Sequence, residues 1–369
     1  MAPSVWYIRS EALVAAADLL PESASAVPGC RSHAHCCYGD GDEGRMAVGR
    51  HRMAESLIHA LGVLKDARVV IPTKASAEDL VRFHDADYIS RLLSFGDESD
   101  SDSNSDDSDD DFNLVDDAPL FEGIGEHVLS IAGATLTACH VLESKGADIA
   151  INWCGGRHHA SYASAAGFCY VNDVVLAGLR LQDSFGKVLI LDIDVHHGDG
   201  TEHAFKHEPN VLCASFHQFS PGFYPGTGST SFDVQNNCVN VAFPEGTGDA
   251  AFVSTFCSEL KNILEHFDPR AIAMVIGADT LANDPLGDCS LTSAAIASCV
   301  RTVLLLKRKT LLLGGGGYNF PDTARTWALC TQIAIDPSAS IERFAATDIP
   351  EHRYFECYGP SFDMMTGRK

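Results

Sequence analysis

The sequence predicts an α/β protein built on a largely parallel sheet with helices on both faces. Three observations carry this. From residue 122 onward, short continuously apolar segments alternate with longer segments of helical periodicity. The apolar segments lack the apolar–polar alternation of a half-exposed strand, so both faces of each strand must be covered, which crossover helices do for a parallel sheet. The chain is also long and apolar enough, at 369 residues and 46% hydrophobic, to bury one large core.

Taken in order, residues 1–46 read as irregular, with a variable loop over 21–46. Its His33, His35, Cys36 and Cys37 suit a surface loop better than a metal site. Residues 47–64 show helical periodicity, and VVI at 69–71 suggests a short strand. SAEDL at 76–80 begins with an N-capping Ser followed by acids, the mark of a helix start. Residues 97–115 form an acidic insertion, and over 97–111 there is too little apolar surface to offset ordering entropy, so disorder is expected. Ser99, Ser103 and Ser108 precede acids and suit acid-directed phosphorylation. Strands are expected at 148–152, 187–193, 211–217, 238–243, 271–278 and 310–315. Helices are expected at 122–143, 170–184, 200–207, 249–267, 291–307 and 320–335. No repeat of 20–50 residues is present.

Composition narrows the function classes. No run of about 20 apolar residues exists, so no transmembrane helix is expected. Arg9, Glu11 and Asp18 interrupt the first apolar stretch, which argues against a secretory signal. The 13 cysteines show neither a framework nor zinc-finger spacing and read as reduced thiols. The net charge is −24, and residues 96–117 hold 11 of the acids. That balance argues against direct nucleic-acid binding and fits cationic partners such as basic peptide tails.

Ligands of open α/β sheets bind beyond the C-terminal ends of the strands. Four expected strands end in polar text there: WCGGRHHA with His158 and His159, DIDVHHGDG, GADT with Asp279, and GGGGYN with Tyr318. Asp194 and His196 are two residues apart just past a strand, so both side chains point the same way. With Asp279 they make two carboxylates and one imidazole, a catalytic rather than structural set that leaves a position open. The set suits Zn²⁺ and also accepts Fe²⁺ or Co²⁺. The competing reading is a strand-end salt-bridge cluster, which lacks nearby Lys or Arg to neutralise its carboxylates. For His158 and His159, Asp192 and Asp199 are the natural orienting partners, and such dyads favour proton transfer to and from water and a leaving amine. A structural role for the pair is the alternative. The glycines of 313–319 fail both phosphate-binding patterns. They serve close backbone approach in a turn, or also present the Tyr318 hydroxyl to a developing oxyanion. Phe168, Phe223 and Tyr224 either line a narrow channel for an alkyl chain or simply pack their loops.

INWCGGRHHA, GFCYVND, DIDVHHGDGTEHAF, SFHQFSPGFYPGTG, GADTLANDP and LGGGGYNFPDTARTW together resemble a class I histone deacetylase, in order, from about residue 47 to 363. The resemblance implies a single deacetylase domain over residues 1–369, with an arginase-like three-layer α/β/α fold and a sheet of about eight strands. It implies Asp194, His196 and Asp279 as metal ligands and His159 as general base and acid, with His158 as electrostatic neighbour. Asp192 and Asp199 become the orienting carboxylates, and Tyr318 the carbonyl-polarising phenol. Gly167 and Phe168 would line the channel opposite Tyr224, with Leu286 at its rim and Asp117 holding the substrate backbone. It also implies a K⁺ ion held by Asp192, Ser215 and backbone oxygens of Asp194, His196 and Phe216. Three departures stand out. Arg157 occupies a position that is usually apolar or aromatic, and its charge would lower the pKa of a nearby His. Tyr224 replaces the usual Phe, and SYASAAGF replaces a more charged loop.

The expected activity is therefore metal-dependent hydrolysis of acetyl-lysine in histone tails or other proteins, in the nucleus or cytoplasm. A deacylase for longer acyl-lysines or acetylpolyamines is one alternative, and a silent acetyl-lysine-binding module is another. KRK at 307–309 is too short to establish nuclear entry, and no membrane or oligomer signal is present.

Overall fold

The computed structural model describes residues 2–19, 49–96, 106–144 and 146–367. The variable loop at 21–46, with His33, His35, Cys36 and Cys37, lies outside the described residues. So do Ser99, Ser103 and the first part of the acidic insertion.

In chain order the elements are β1 (Val5–Ile8), α1 (Glu11–Ala17), α2 (Arg50–Ala60), β2 (Arg68–Val70), α3 (Ala77–Leu80), α4 (Ala86–Ser94), α5 (Asp106–Asp111) and α6 (Ile124–Ser144). There follow β3 (Ile149–Asn152), α7 (Asp173–Phe185), β4 (Val188–Asp192), α8 (Asp199–Phe205), β5 (Val211–Gln218), β6 (Ser231–Asp233) and β7 (Cys238–Phe243). The chain closes with α9 (Asp249–His266), β8 (Ala271–Val275), α10 (Ser293–Leu304), β9 (Lys309–Leu313), α11 (Phe320–Ile335) and α12 (Ile341–Ala345). The nine strands form one sheet, ordered β2-β1-β3-β9-β8-β4-β5-β7-β6. Every neighbouring pair is parallel except β6 with β7.

The three layers follow from the strand period of two. In β4, Leu189 and Leu191 point into the core beneath α2, α9, α10 and α11. Val188 and Ile190 point the other way, into the core beneath α1, α6 and α7. Each such side chain, fully buried, contributes about 1.5–3 kcal/mol, so the doubly covered central strands anchor the fold. Helix starts are capped by their own text: Asn172 accepts from Val175 N at 2.9 Å, and Asn319 accepts from Asp322 N at 3.3 Å.

Two expectations need correction. Within the N-terminal segment read as irregular, Val5–Ile8 is a strand and Glu11–Ala17 a helix. VWYI is short, but it pairs with both β2 and β3 and is buried throughout, so tertiary pairing decides its state. The sheet accordingly has nine strands. Within the acidic insertion, Asp106–Asp111 is helical rather than disordered. Asp109 receives two hydrogen bonds from Arg91, at 2.7 and 2.9 Å, which relieves its charge.

The topology locates a crevice. From β4 the chain proceeds to β5 on one side, whereas from β8 it proceeds to β9 on the other. The connections diverge between β4 and β8, and a parallel sheet opens for ligands beyond the C-terminal ends at such a switch point.

Candidate active site

Asp194 and His196 follow β4, and Asp279 follows β8, so the ligand candidates stand on the two strands that flank the crevice. Their side chains meet: one ligand atom from each lies within 4.8 Å of the others, and all three residues are buried. His196 Nδ1 is 3.1 Å from Asp194 Oδ1 and 3.1 Å from Asp279 Oδ2. A single Nδ1–H satisfies two carboxylates poorly, whereas a divalent cation satisfies all three atoms. Among the described residues no Lys or Arg pairs with Asp194 or Asp279, which are 1% and 0% exposed. Two buried carboxylates without a cation are costly, so the donor set fits a metal ion.

The electrostatics agree. Burial and the charge of Asp194 push Asp279 up to about 7. Burial acts to raise Asp194 too, but His158 and His196 outweigh it and hold that carboxyl well below the usual range. The second oxygens of both acids are fixed by backbone. Val195 N donates to Asp279 Oδ1 at 2.9 Å, and Gly316 N donates to Asp194 Oδ2 at 2.6 Å. The glycine run after β9 is therefore a steric requirement: a Cβ on Gly316 would collide with Asp279 Oδ2, and one on Gly277 with Asp194 Oδ2.

The His pair leaves β3 over the same crevice. Asn172, at the cap of α7, donates to His158 O at 3.2 Å and Ala160 O at 2.9 Å. Asp173 accepts from Gly156 N at 3.1 Å and Arg157 N at 2.7 Å. The loop is thus clamped from both sides. His158 Nδ1–H donates to Asp192 Oδ2 at 2.6 Å, and His159 Nδ1–H donates to Asp199 Oδ1 at 2.7 Å. His159 Nε2 is left for chemistry, while His158 Nε2 lies 3.9 Å from Asp194 Oδ1. Burial lowers both imidazoles, but Asp192 and Asp194 reverse this for His158 and raise it to about 9. Burial and the His158 charge bring His159 down to about 4, which keeps its Nε2 an acceptor at neutral pH. The rings of His159 and His196 are 5.9 Å apart.

Tyr318 enters from the β9–α11 loop. Its hydroxyl is held well above the usual phenol range by burial and by the charges of Asp279 and Asp194, so it remains a proton donor. Phe168 lies 6.0 Å from the Tyr318 ring, and Tyr224 packs edge-on to His159 at 5.1 Å. Phe223 stacks on His196 at 5.3 Å. Gly167 and Phe168 both have positive φ, 52° and 62°, and Asp117 Oδ2 fixes this turn by accepting from Gly167 N at 3.0 Å. An L-residue such as Phe168 rarely adopts that conformation without a positional reason. Ser215, opposite Asp192 in the β4–β5 register, exchanges a 2.8 Å hydrogen bond with His217, while Phe216 packs in the core.

Sequence reasoning missed four supporting residues. Asp284 accepts from Tyr318 N at 2.7 Å through Oδ2 and from Leu286 N at 3.0 Å through Oδ1, tying phenol and rim together. Arg50 donates to Gly317 O at 3.2 Å and lies 5.9 Å from the Tyr318 ring. Asn172 and Asp173 clamp the His loop as described. Only the acids in GADTLANDP and YVND were visible as signals, because backbone partners carry no side-chain pattern. The Arg157 charge lowers two nearby imidazoles, those of His51 and His127.

Comparison with known proteins accords with this geometry. Residues 45–334 match the histone deacetylase domain family. The chain is 41% identical to histone deacetylase 8 of Danio rerio over 319 residues, 85% of this chain and 82% of that protein. It is 41% identical to histone deacetylase 8 of Xenopus tropicalis over 318 residues, 85% and 84% of the two chains. Histone deacetylase 1 of Homo sapiens is 35% identical over 342 residues, 89% of this chain and 69% of that protein. The chain belongs to class I of the histone deacetylase family.

Proposed function

From that membership, we propose that this lysine deacetylase cleaves the acetyl amide of N6-acetyl-lysine at the crevice between β4 and β8, with His159 and Tyr318 as its proton-handling groups. The observation that carries the reading is the meeting of Asp194, His196 and Asp279 at one point, faced by His159. A divalent cation bound there, Zn²⁺ by preference and Fe²⁺ or Co²⁺ as substitutes, supplies Lewis-acid activation of the acetyl carbonyl and of water.

The chain's own groups do the rest. His159 Nε2 removes a proton from the attacking water, while Asp199 keeps the ring oriented and its Nδ1 protonated. His158, paired with Asp192, supplies a fixed positive neighbour. The Tyr318 hydroxyl donates to the carbonyl oxygen as negative charge develops on it. His159 then returns its proton to the departing lysine amine. Gly167, Phe168 and Tyr224 wall the aliphatic stem, Leu286 shapes the rim, and Asp117 engages the substrate backbone there. A K⁺ ion beside Asp192 and Ser215, on backbone oxygens of Asp194, His196 and Phe216, would stiffen the metal loop.

Acetylated histone tails or other basic proteins of the nucleus or cytoplasm fit the acidic chain as substrates. Among the described residues no helix is long and apolar enough to cross a membrane. The test is turnover of metal-loaded protein on a panel of acetyl-lysine peptides, longer acyl-lysine peptides and acetylpolyamines. Acetyl-lysine should be turned over fastest. A preference for either alternative class would overturn the substrate assignment, and the polar edge that Tyr224 adds to the channel is the feature that would then need explaining.

A further inference from the structure

The acidic insertion ends in a helix cap that reaches the channel wall. Helix α5 is closed by two backbone hydrogen bonds. Leu114 N donates to Asp109 O at 2.8 Å, and Asn113 N donates to Asp110 O at 3.1 Å. These are the two bonds of a Schellman cap, with Asn113 in its left-handed position at φ 53°. Asn is one of the few residues besides Gly that takes this conformation readily. Leu114, the next residue, is buried in the same apolar cluster as Leu92 of α4. Arg91 of α4 anchors Asp109 with hydrogen bonds of 2.7 and 2.9 Å. The Asn113 backbone is therefore fixed from both sides.

The cap uses only that backbone. The Asn113 side chain reaches elsewhere: its Nδ2 donates to Ala165 O at 2.7 Å. Phe112 O accepts from Ala165 N at 3.0 Å, so both backbone groups of Ala165 are held by the end of the insertion. The residues that follow Ala165 make the channel turn. Ala166 N donates to Cys169 O at 3.1 Å, and Cys169 N donates to Ala166 O at 2.8 Å. Gly167 and Phe168 between them both have positive φ, the pattern of a type I′ turn. That turn favours Asn-Gly or Gly-Gly, and a bulky ring at its second position is strained. The surroundings must hold Phe168 there. Asp117 does so through Gly167 N, and Asn113 and Phe112 do so through the residue that leads into the turn.

We propose that Asn113 is a positioning residue for the acyl-lysine channel: its amide on Ala165 O holds the Gly167–Phe168 turn, and so sets the wall against which the substrate stem packs. The role rests on the proposed deacetylase function, because the wall belongs to that channel. It gives the ordered end of the insertion a task besides long-range attraction, since α5 and its cap present this amide. The wall meets the stem alike in ground and transition states, so the effect falls on KM rather than kcat.

The test uses the full chain. Asn113→Gly keeps the left-handed cap and removes the amide alone. On an acetyl-lysine peptide KM should rise by about 3–10-fold, with kcat within about 2-fold of wild type. Asn113→Asp has the same shape and the same tolerance of positive φ, but sets an acceptor against Ala165 O, so it should raise KM at least as much. In a Phe168→Ala background the effect of Asn113→Gly on KM should vanish, because the positioned ring is gone, whereas a merely structural loss would add. Crystals of Asn113→Gly should show the turn displaced or Phe168 in a second conformation, a readout that needs no turnover. A displaced turn in a protein whose wild type leaves acetyl-lysine intact would overturn the deacetylase function and still support Asn113 as the holder of the turn. Unchanged KM in both variants, full additivity with Phe168→Ala, or an undisturbed turn in the Asn113→Gly crystals would overturn the proposal.

Discussion

Gly316→Ala adds one carbon to the wall of the proposed metal centre, and its consequence is computable from the site. The new Cβ would overlap Asp279 Oδ2 and lie 2.6 Å from Asp279 Cγ and 3.1 Å from Asp194 Oδ2, where ordinary contact begins at 3.4 Å. Gly316 has no positive φ to strain, so the effect is steric alone. Either the loop retreats, weakening the 2.6 Å bond from Gly316 N to Asp194, or the Asp279 carboxylate moves out of register with His196. A shift of roughly 1 Å at a reacting site costs about 10²-fold in rate. Disturbing the groups that orient metal ligands costs about 10–100-fold in metal affinity. The assay is metal affinity by chelator competition together with kcat on an acetyl-lysine peptide. Gly248→Ala, whose Cβ meets nothing within 4 Å, is the control. A folded Gly316→Ala protein with unchanged metal affinity would refute the claim that the glycine run exists to let backbone approach the ligand carboxylates.

Other outcomes follow from the same geometry. His159→Ala and Tyr318→Phe should each lower kcat by about 10²-fold or more while leaving metal content unchanged, and near-normal turnover in either would remove its assigned role. His84 and His51 are held at about 4 and His127 at about 3, in each case chiefly by burial. Their folded values lie below the unfolded value of about 6.5, so stability is intact above that pH and is lost as pH falls toward 4. His84 alone should account for about 3 kcal/mol by pH 4, and urea midpoints that stay level between pH 7 and 4.5 would contradict this. Neutralising the acids of 97–111 should lower kcat/KM for acetyl peptides rich in Lys and Arg by about 10-fold at low ionic strength, with the difference vanishing at high salt. A salt-independent difference would point to contact rather than long-range attraction.

The site was more legible in the sequence than its supports. DIDVHHGDG sets acids and imidazoles at the end of an apolar strand, and the strand-end rule then gathers His158, His159, Asp279 and Tyr318 from three other strands. The period-two geometry that aligns Asp194 with His196 is local, so it can be read without a structure. The role of Asp284 cannot, since its partners are backbone N–H groups of Tyr318 and Leu286, the former 34 residues away. VWYI was too short for periodicity to register, and its strand exists because β2 and β3 flank it. The helix at Asp106–Asp111 runs against its composition, and the bond from Arg91, 18 residues earlier, helps to account for it.

The central claim is that Asp194, His196 and Asp279 hold one divalent ion on which turnover depends. The direct measurement is metal stoichiometry and acetyl-lysine turnover on the same samples, for wild type before and after chelation and for Asp279→Ala. One tightly held ion per chain, lost together with activity on chelation, restored on re-addition and absent in Asp279→Ala, is the expected result. Full turnover after the metal is stripped, or an Asp279→Ala protein that keeps its ion and its rate, would contradict it.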